Sequence, residues 1–111
     1  MKIAITSQGN SLESKLDQRF GHCQFFVTYD SDNGTIEIIP NPYHNVEEQA
    51  GALAVKLLSS KNVAKIISGE FGLKVKPMLD SLKIQMIILK DDSKTVQTII
   101  EMLNKTYSKE E

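Results

Sequence analysis

Phe25-Phe26-Val27-Thr28-Tyr29-Asp30-Ser31-Asp32-Asn33-Gly34-Thr35-Ile36-Glu37-Ile38-Ile39 is the stretch on which the fold turns. Aromatic and β-branched residues fill both ends, as on a pleated, half-buried surface. Asn33-Gly34 between them favours positive φ, so the two runs read as a β-hairpin. Pro40-Asn41-Pro42 then stops the second strand, because proline has no N–H for a ladder. Working backward, residues 2–6 read as another short strand. It is separated from the hairpin by a polar stretch, 7–24, whose only apolar residues are Leu12, Leu16, Phe20 and Cys23. A loop of that length in a small domain is usually functional.

Working forward, Ala50, Leu53, Ala54, Leu57 and Leu58 repeat at helical spacing and predict a helix over about 46–60. Residues 64–68 read as a short strand closed by Gly69-Glu70-Phe71-Gly72. A helix to about Leu82 follows, with Pro77 fitting only in its first turn or at a kink. Residues 85–89 are expected as a fully buried strand. Asp91, Asp92 and Ser93 offer N-caps for a last helix striped by Val96, Ile99, Ile100 and Leu103. Met78, Met86 and Met102 fall on apolar positions and are expected in the core.

The order β-β-β-α-β-α-β-α is most simply satisfied by an α/β fold: one five-stranded mixed sheet, order 3-2-1-4-5, flanked by three helices, as in the ribonuclease H-like motif. The expectation is a single α/β domain over 1–104 and a frayed C-terminal tail, 105–111. Strand carboxyl ends would meet at one edge, where open α/β sheets bind ligands. That edge gathers residues 7–9, 19–23, 41–45, 69–72 and 90–92.

Composition narrows the partners. The 111 residues are 41% hydrophobic and 24% charged, ordinary for one globular domain. A formal net charge of -1 gives no basic field for DNA or RNA, so no nucleic acid partner is expected. No segment approaches the roughly 20 apolar residues of a membrane span, and Ile3-Ala4-Ile5 is too short for a signal peptide core, so a cytoplasmic protein with no membrane partner is expected. A single cysteine, Cys23, forms no internal disulfide and no paired-thiolate zinc site. A metal here needs other ligand types, a second subunit or a preformed cofactor.

Within the long loop, Arg19, His22 and Cys23 supply a permanent cation, an imidazole and a soft sulfur donor, and Gly21 permits a tight turn. Together they suit an anionic, sulfur-rich or metal-containing ligand. The bland alternatives are a Cys23 buried as a small hydrophobe, a structural His22, and an Arg19 that merely pairs with Asp17. Gly69 and Gly72 flank a strand-to-helix turn whose N–H groups favour an anion, although Glu70 opposes one; close packing is the competing explanation. His44 is a second candidate imidazole or a solvated loop residue. No Gly-x-Ser-x-Gly, His-Glu-x-x-His or Cys-x-x-Cys motif occurs, and no catalytic residue is assigned. The first strand carries no acid, which disfavours two-metal phosphodiester hydrolysis.

Lys2-Ile3-Ala4-Ile5, Leu16-Asp17-Gln18-Arg19-Phe20-Gly21-His22-Cys23, Asn41-Pro42, Gly51-Ala52 and Gly69-x-x-Gly72 together resemble the dinitrogenase iron-molybdenum cofactor biosynthesis family over about 1–103. The resemblance implies a ribonuclease H-like fold. Some members bind and carry iron-molybdenum cofactor or its precursor, and a related protein holds a mixed molybdenum-copper sulfide cluster. Arg19 stands where nitrogenase-linked members carry histidine, which marks a stand-alone, Arg-Phe-Gly type. The expectation is a non-catalytic binder or carrier of an anionic metal-sulfur cluster, iron-sulfur or molybdenum-containing, in cluster assembly or trafficking. Arg19, Phe20, Gly21, His22, Cys23, Gly69 and Gly72 would bind it, with His22 and Cys23 as metal ligands. A cluster-assembly ATPase or an apo-acceptor protein would be the partner. The alternative is an interaction module of such a system with no bound metal; a metal-dependent hydrolase using His22, Asp17 and Asp91 comes third.

Overall fold

The central strand is the one whose residues are almost all apolar or small. In the computed structural model, which describes residues 1–108, β1 (Lys2–Ser7) is buried from Ile3 onward. It pairs antiparallel with β2 (Phe25–Asp30), from Lys2 opposite Asp30 to Ser7 opposite Phe25. On its other side it pairs parallel with β4 (Lys65–Ser68), Ile3 opposite Lys65. β3 (Ile36–Pro40) and β5 (Gln85–Ile88) form the outer strands of a sheet ordered β3-β2-β1-β4-β5. The predicted α/β class, strand order and three helices are those observed.

Each face of β1 seeds its own core. Ala4 points with Phe26 and Ile66 to the side covered by α1 (Ala50–Ser60) and α2 (Val75–Ser81) through Ala54, Val55, Leu58, Val75 and Leu79. Ile3 and Ile5 point with Val27, Tyr29 and Ile67 to the side covered by α3 (Val96–Ser108) through Val96, Ile99 and Ile100. The strand period of two thus divides the apolar residues between two layers of helix.

Several boundaries differ from the sequence reading. α1 begins at Ala50 rather than near Val46, because Asn41 Oδ1 accepts from Tyr43 N and Val46 N donates to Tyr43 O, keeping 41–46 in turns. The cap of α3 is Thr95, whose Oγ1 accepts from Thr98 N. Asp91 instead closes a local turn onto Ser93 and pairs with Lys94. Strand β5 is an outer strand with Gln85 exposed and Ile88 52% exposed, not a fully buried one. Met102 is also on the surface, while Met78 and Met86 pack against the core. Helix α3 continues through 105–108, which the sequence assigned to a frayed tail; the remainder, 109–111, lies outside the described residues. Pro77 sits in the first turn of α2, where its missing N–H costs no helical bond. Among the described residues no helix is long and apolar enough to cross a membrane.

The two edges of the sheet are built differently. Connections 31–35, 61–64 and 82–84 at one edge are short turns that use positive φ at Gly34, Asn62 and Lys83. Connections 8–24, 41–49, 69–74 and 89–95, at the carboxyl ends of β1, β3, β4 and β5, are longer. Irregular chain is concentrated where a parallel sheet offers a crevice.

Candidate functional site

Residues 16–20 run across the carboxyl ends of β1 and β4, where the chain order of the strands changes direction. Asp17 is the rivet. Its N–H donates to Thr6 O, and its carbonyl accepts from Thr6 Oγ1 at 2.7 Å and Ser68 Oγ at 3.5 Å. Leu16 is fully buried beneath, and Phe20 N donates to Glu70 O, so the segment pairs with the residue just beyond β4.

This fixed backbone turns Arg19 outward. It is the single arginine among thirteen basic residues. Asp17 Oδ1 accepts from Arg19 N at 2.9 Å and lies 3.5 Å from Nε, while the Arg19 side chain stays 61% exposed. Phe20 points the other way. It is buried, with its ring centroid 6.0 Å from Phe26 and 5.1 Å from Phe71, so it anchors the loop in the core instead of lining a ligand surface.

Gly21 has φ +97°, and a Cβ there would stand 2.9 Å from Gly51 N, at the start of α1. Only glycine lets the loop lie this close to a helix terminus. No side chain caps α1, and its first turn holds no acid, so the N–H groups of that turn have no partner within the helix. His22 is half-buried beside it. Its Nδ1 donates to the His44 carbonyl at 3.3 Å, which leaves Nε2 as the ring's other nitrogen. A backbone carbonyl behind one imidazole nitrogen is the arrangement that orients histidine toward a metal. His44 joins the site through its carbonyl.

Cys23 corrects the expected ligand set. Its side chain is fully buried among core residues. Burial pushes the thiol up to about 12, with the negative charge of Asp17 acting in the same direction. The structure therefore holds it as a neutral small hydrophobe, not as an exposed thiolate.

The glycine turn is also reassigned. A Cβ on Gly69 would collide with Gln18, including its Cα at 2.6 Å, so this glycine admits the 17–19 segment against the end of β4. Gly72 is exposed, and a Cβ there would meet nothing nearer than Val75 at 3.9 Å. Close packing accounts for Gly69, and no contact in the fold requires glycine at 72.

Asn41 was missed as a site residue. It is buried, and its Nδ2 donates to Gly21 O at 2.9 Å and Cys23 O at 2.8 Å while its Oδ1 accepts from Tyr43 N. One amide thus ties the 41–46 turn to the Arg19–Cys23 loop. Its sequence signal was an Asn between two prolines after a strand, a place where Asn side chains close turns.

Among the described residues no three His, Cys, Asp or Glu side chains converge to hold a metal ion. Two shallow, mainly apolar grooves lie away from this edge: one of about 460 Å³ between α1 and α2 at Lys56, Met78 and Leu82, and one of about 200 Å³ beside α3 at Ile88, Met102 and Leu103. Neither gathers convergent polar groups.

A family model described as dinitrogenase iron-molybdenum cofactor matches residues 1–106. The chain belongs to that family. Solved structures share its architecture. The apo form of the orange protein from Desulfovibrio gigas superposes with a TM-score of 0.85 at 24% identity, covering 95% of this chain and 88% of that one. A NifB candidate from Thermotoga gives 0.78 at 26%, covering 94% and 87%. A dinitrogenase candidate from Methanocaldococcus jannaschii gives 0.60 at 20%, covering 92% and 89%. No curated protein matches the sequence. Membership gives this dinitrogenase iron-molybdenum cofactor family chain a cluster-related role.

Against a cluster of that class, the donor set at the edge divides clearly. Arg19, the Nε2 of His22 and the uncapped start of α1 suit an anion with a soft metal in it. The Gln18 side chain packs against Gly69, and among the described residues its buried amide nitrogen has no hydrogen-bond partner. Cys23 does not fit as a coordinating thiolate.

Proposed function

We propose that this protein is a non-catalytic carrier of a preformed, anionic metal-sulfur cluster, held at the carboxyl edge by charge and hydrogen bonds with one imidazole contact. The observation that carries this reading is the His22 ring, its Nδ1 donating to the His44 carbonyl, three residues after the only arginine. Arg19 would neutralise cluster charge, and the start of α1 would add fixed partial charge. With no thiolate to displace, release to an apo-acceptor or a cluster-assembly ATPase would need only the exchange of weak contacts.

To test it, the protein is mixed anaerobically with tetrathiomolybdate and, separately, with a preformed iron-sulfur cluster, then followed by visible spectrum and metal analysis. Arg19→Ala and His22→Ala should each weaken uptake by about tenfold, the loss of one charge-assisted contact. Cys23→Ser should bind like the parent. Uptake that depends on Cys23 and ignores Arg19 would sink the reading.

One observation favours a second reading, a docking module without metal. Leu73 is 97% exposed at the same edge, next to Phe71 on Phe20. Leu73→Asp separates the two: loss of partner capture with cluster uptake intact assigns the tip of that loop to docking.

A further inference from the structure

Helices α1 and α2 leave an open seam between them. The groove there, about 460 Å³, is lined by Lys56, Pro77, Met78, Ser81 and Leu82. Leu82, at the end of α2, is 46% exposed, a large apolar side chain left in water. Lys74, Pro77, Met78 and Ser81 stand at i, i+3, i+4 and i+7, so the lysine that opens α2 shares the face that lines the groove.

The charge on this layer is basic, unlike the rest of the chain. Residues 50–84 hold six lysines against Glu70 and Asp80, a net of +4 in a protein of net charge -1. Asp80 is already paired with Lys76 at 2.8 Å. Lys56, Lys74 and Lys83 are exposed, and among the described residues they pair with no carboxylate.

We infer that the α1–α2 groove docks an acidic amphipathic helix of a partner protein, whose apolar side chains enter the seam while its carboxylates meet Lys56, Lys74 and Lys83. The eleven residues of α1 span about 16 Å, the length of three turns of such a helix. Three lysines are fewer than the roughly four to eight that mark an anionic bilayer site, and a concave seam takes an inserted side chain that a flat bilayer does not supply. The groove lies away from the carboxyl edge, so a partner can dock there whether or not a cluster is carried.

The probe is a fluorescein-labelled peptide of about 15 residues with leucine at i, i+3, i+4 and i+7 and glutamate on its other face, beside a copy with lysine for each glutamate. Followed by anisotropy with the full chain, the acidic peptide should bind and the lysine copy should bind at least tenfold more weakly. That comparison needs no variant. Leu82→Asp should weaken the acidic peptide at least tenfold, and Lys56→Glu and Lys74→Glu about fivefold each, with circular dichroism establishing that they fold. Amide shift changes should fall in 52–60 and 74–83. Equal binding of the two peptides, no binding of the acidic one, or shift changes centred beside α3 overturns the inference. Phosphatidylserine vesicles and sedimentation of the protein alone test the other occupants. Vesicle binding or self-association that Leu82→Asp abolishes assigns the groove to a membrane or to a second copy, and overturns it as well.

Discussion

At the scale of single residues, Cys23 is packed away while Arg19, four positions earlier, is turned to solvent. Arg19, Phe20, His22 and Cys23 lie within five positions, and all looked available. Their actual directions depend on Asp17, Asn41 and Gly21, whose contacts are long-range: Asn41 reaches back 18 and 20 residues to Cys23 and Gly21. Nothing local to Cys23 says that its sulfur is packed away. The burial has a measurable consequence. An ordinary thiol titrates near 9.0, and this one is held up to about 12. Between those values the unfolded chain loses the proton while the folded chain keeps it, so stability is full below pH 9 and falls as pH rises toward 12. The slope approaches about 1.4 kcal/mol per pH unit. Urea unfolding at pH 8 and pH 10 should therefore show the parent losing roughly 1 kcal/mol more than Cys23→Ser. Lysine titration is common to both proteins and cancels in the comparison. Parallel losses would mean that the thiol titrates normally and that Cys23 is reachable after all.

At the scale of elements, strands and helices were legible because their periodicities are local and distinct. The buried run of β1, the hairpin turn at Asn33-Gly34 and the stripe of α1 each announce themselves within a few residues. Ends were less legible where a side chain elsewhere decides them, as Asn41 and the 41–46 turns do for the start of α1. Burial of β5 was misread because an apolar run looks alike in a central strand and an outer one; only the strand order assigns it. The β4–α2 turn shows the same limit. Gly69 and Gly72 are equivalent in sequence, yet a Cβ on Gly69 runs into the Gln18 backbone and one on Gly72 makes only an ordinary contact with Val75 at 3.9 Å. Gly69→Ala should destabilise by about 1–3 kcal/mol through overpacking, and it should loosen the 17–19 segment. Gly72→Ala should change stability by less than about 0.5 kcal/mol. Thermal unfolding of the pair measures this. Equal effects would remove Gly69 as the close-approach glycine of the site.

At the scale of the molecule, the division between short turns at one edge and long connections at the other makes the proposed site a property of three loops that are far apart in sequence. Loops 8–24, 41–49 and 69–74 meet through Asn41 to Gly21 and Cys23, and through Asp17 to Gly69 and Ser68. A ligand at Arg19 and His22 therefore touches a joint of all three, while the sheet beneath, with β1 buried on both faces, has little freedom to respond. Binding to the folded state alone stabilises it by about 2.7 kcal/mol at a ligand concentration a hundred times the dissociation constant. For a chain of this size that raises the unfolding midpoint on the order of 10 °C. Saturating tetrathiomolybdate should do so for the parent and for Cys23→Ser, and should have little effect on Arg19→Ala. Hydrogen exchange adds the spatial test, because slow opening of loops is set by local contacts. Protection on loading should rise together in 17–24, 41–46 and 69–73 and stay unchanged in 31–35 and 82–84 at the far edge. Protection confined to 69–73 would place the ligand on the exposed Leu73 loop alone, and uniform protection would mean a global effect with no site at the carboxyl edge.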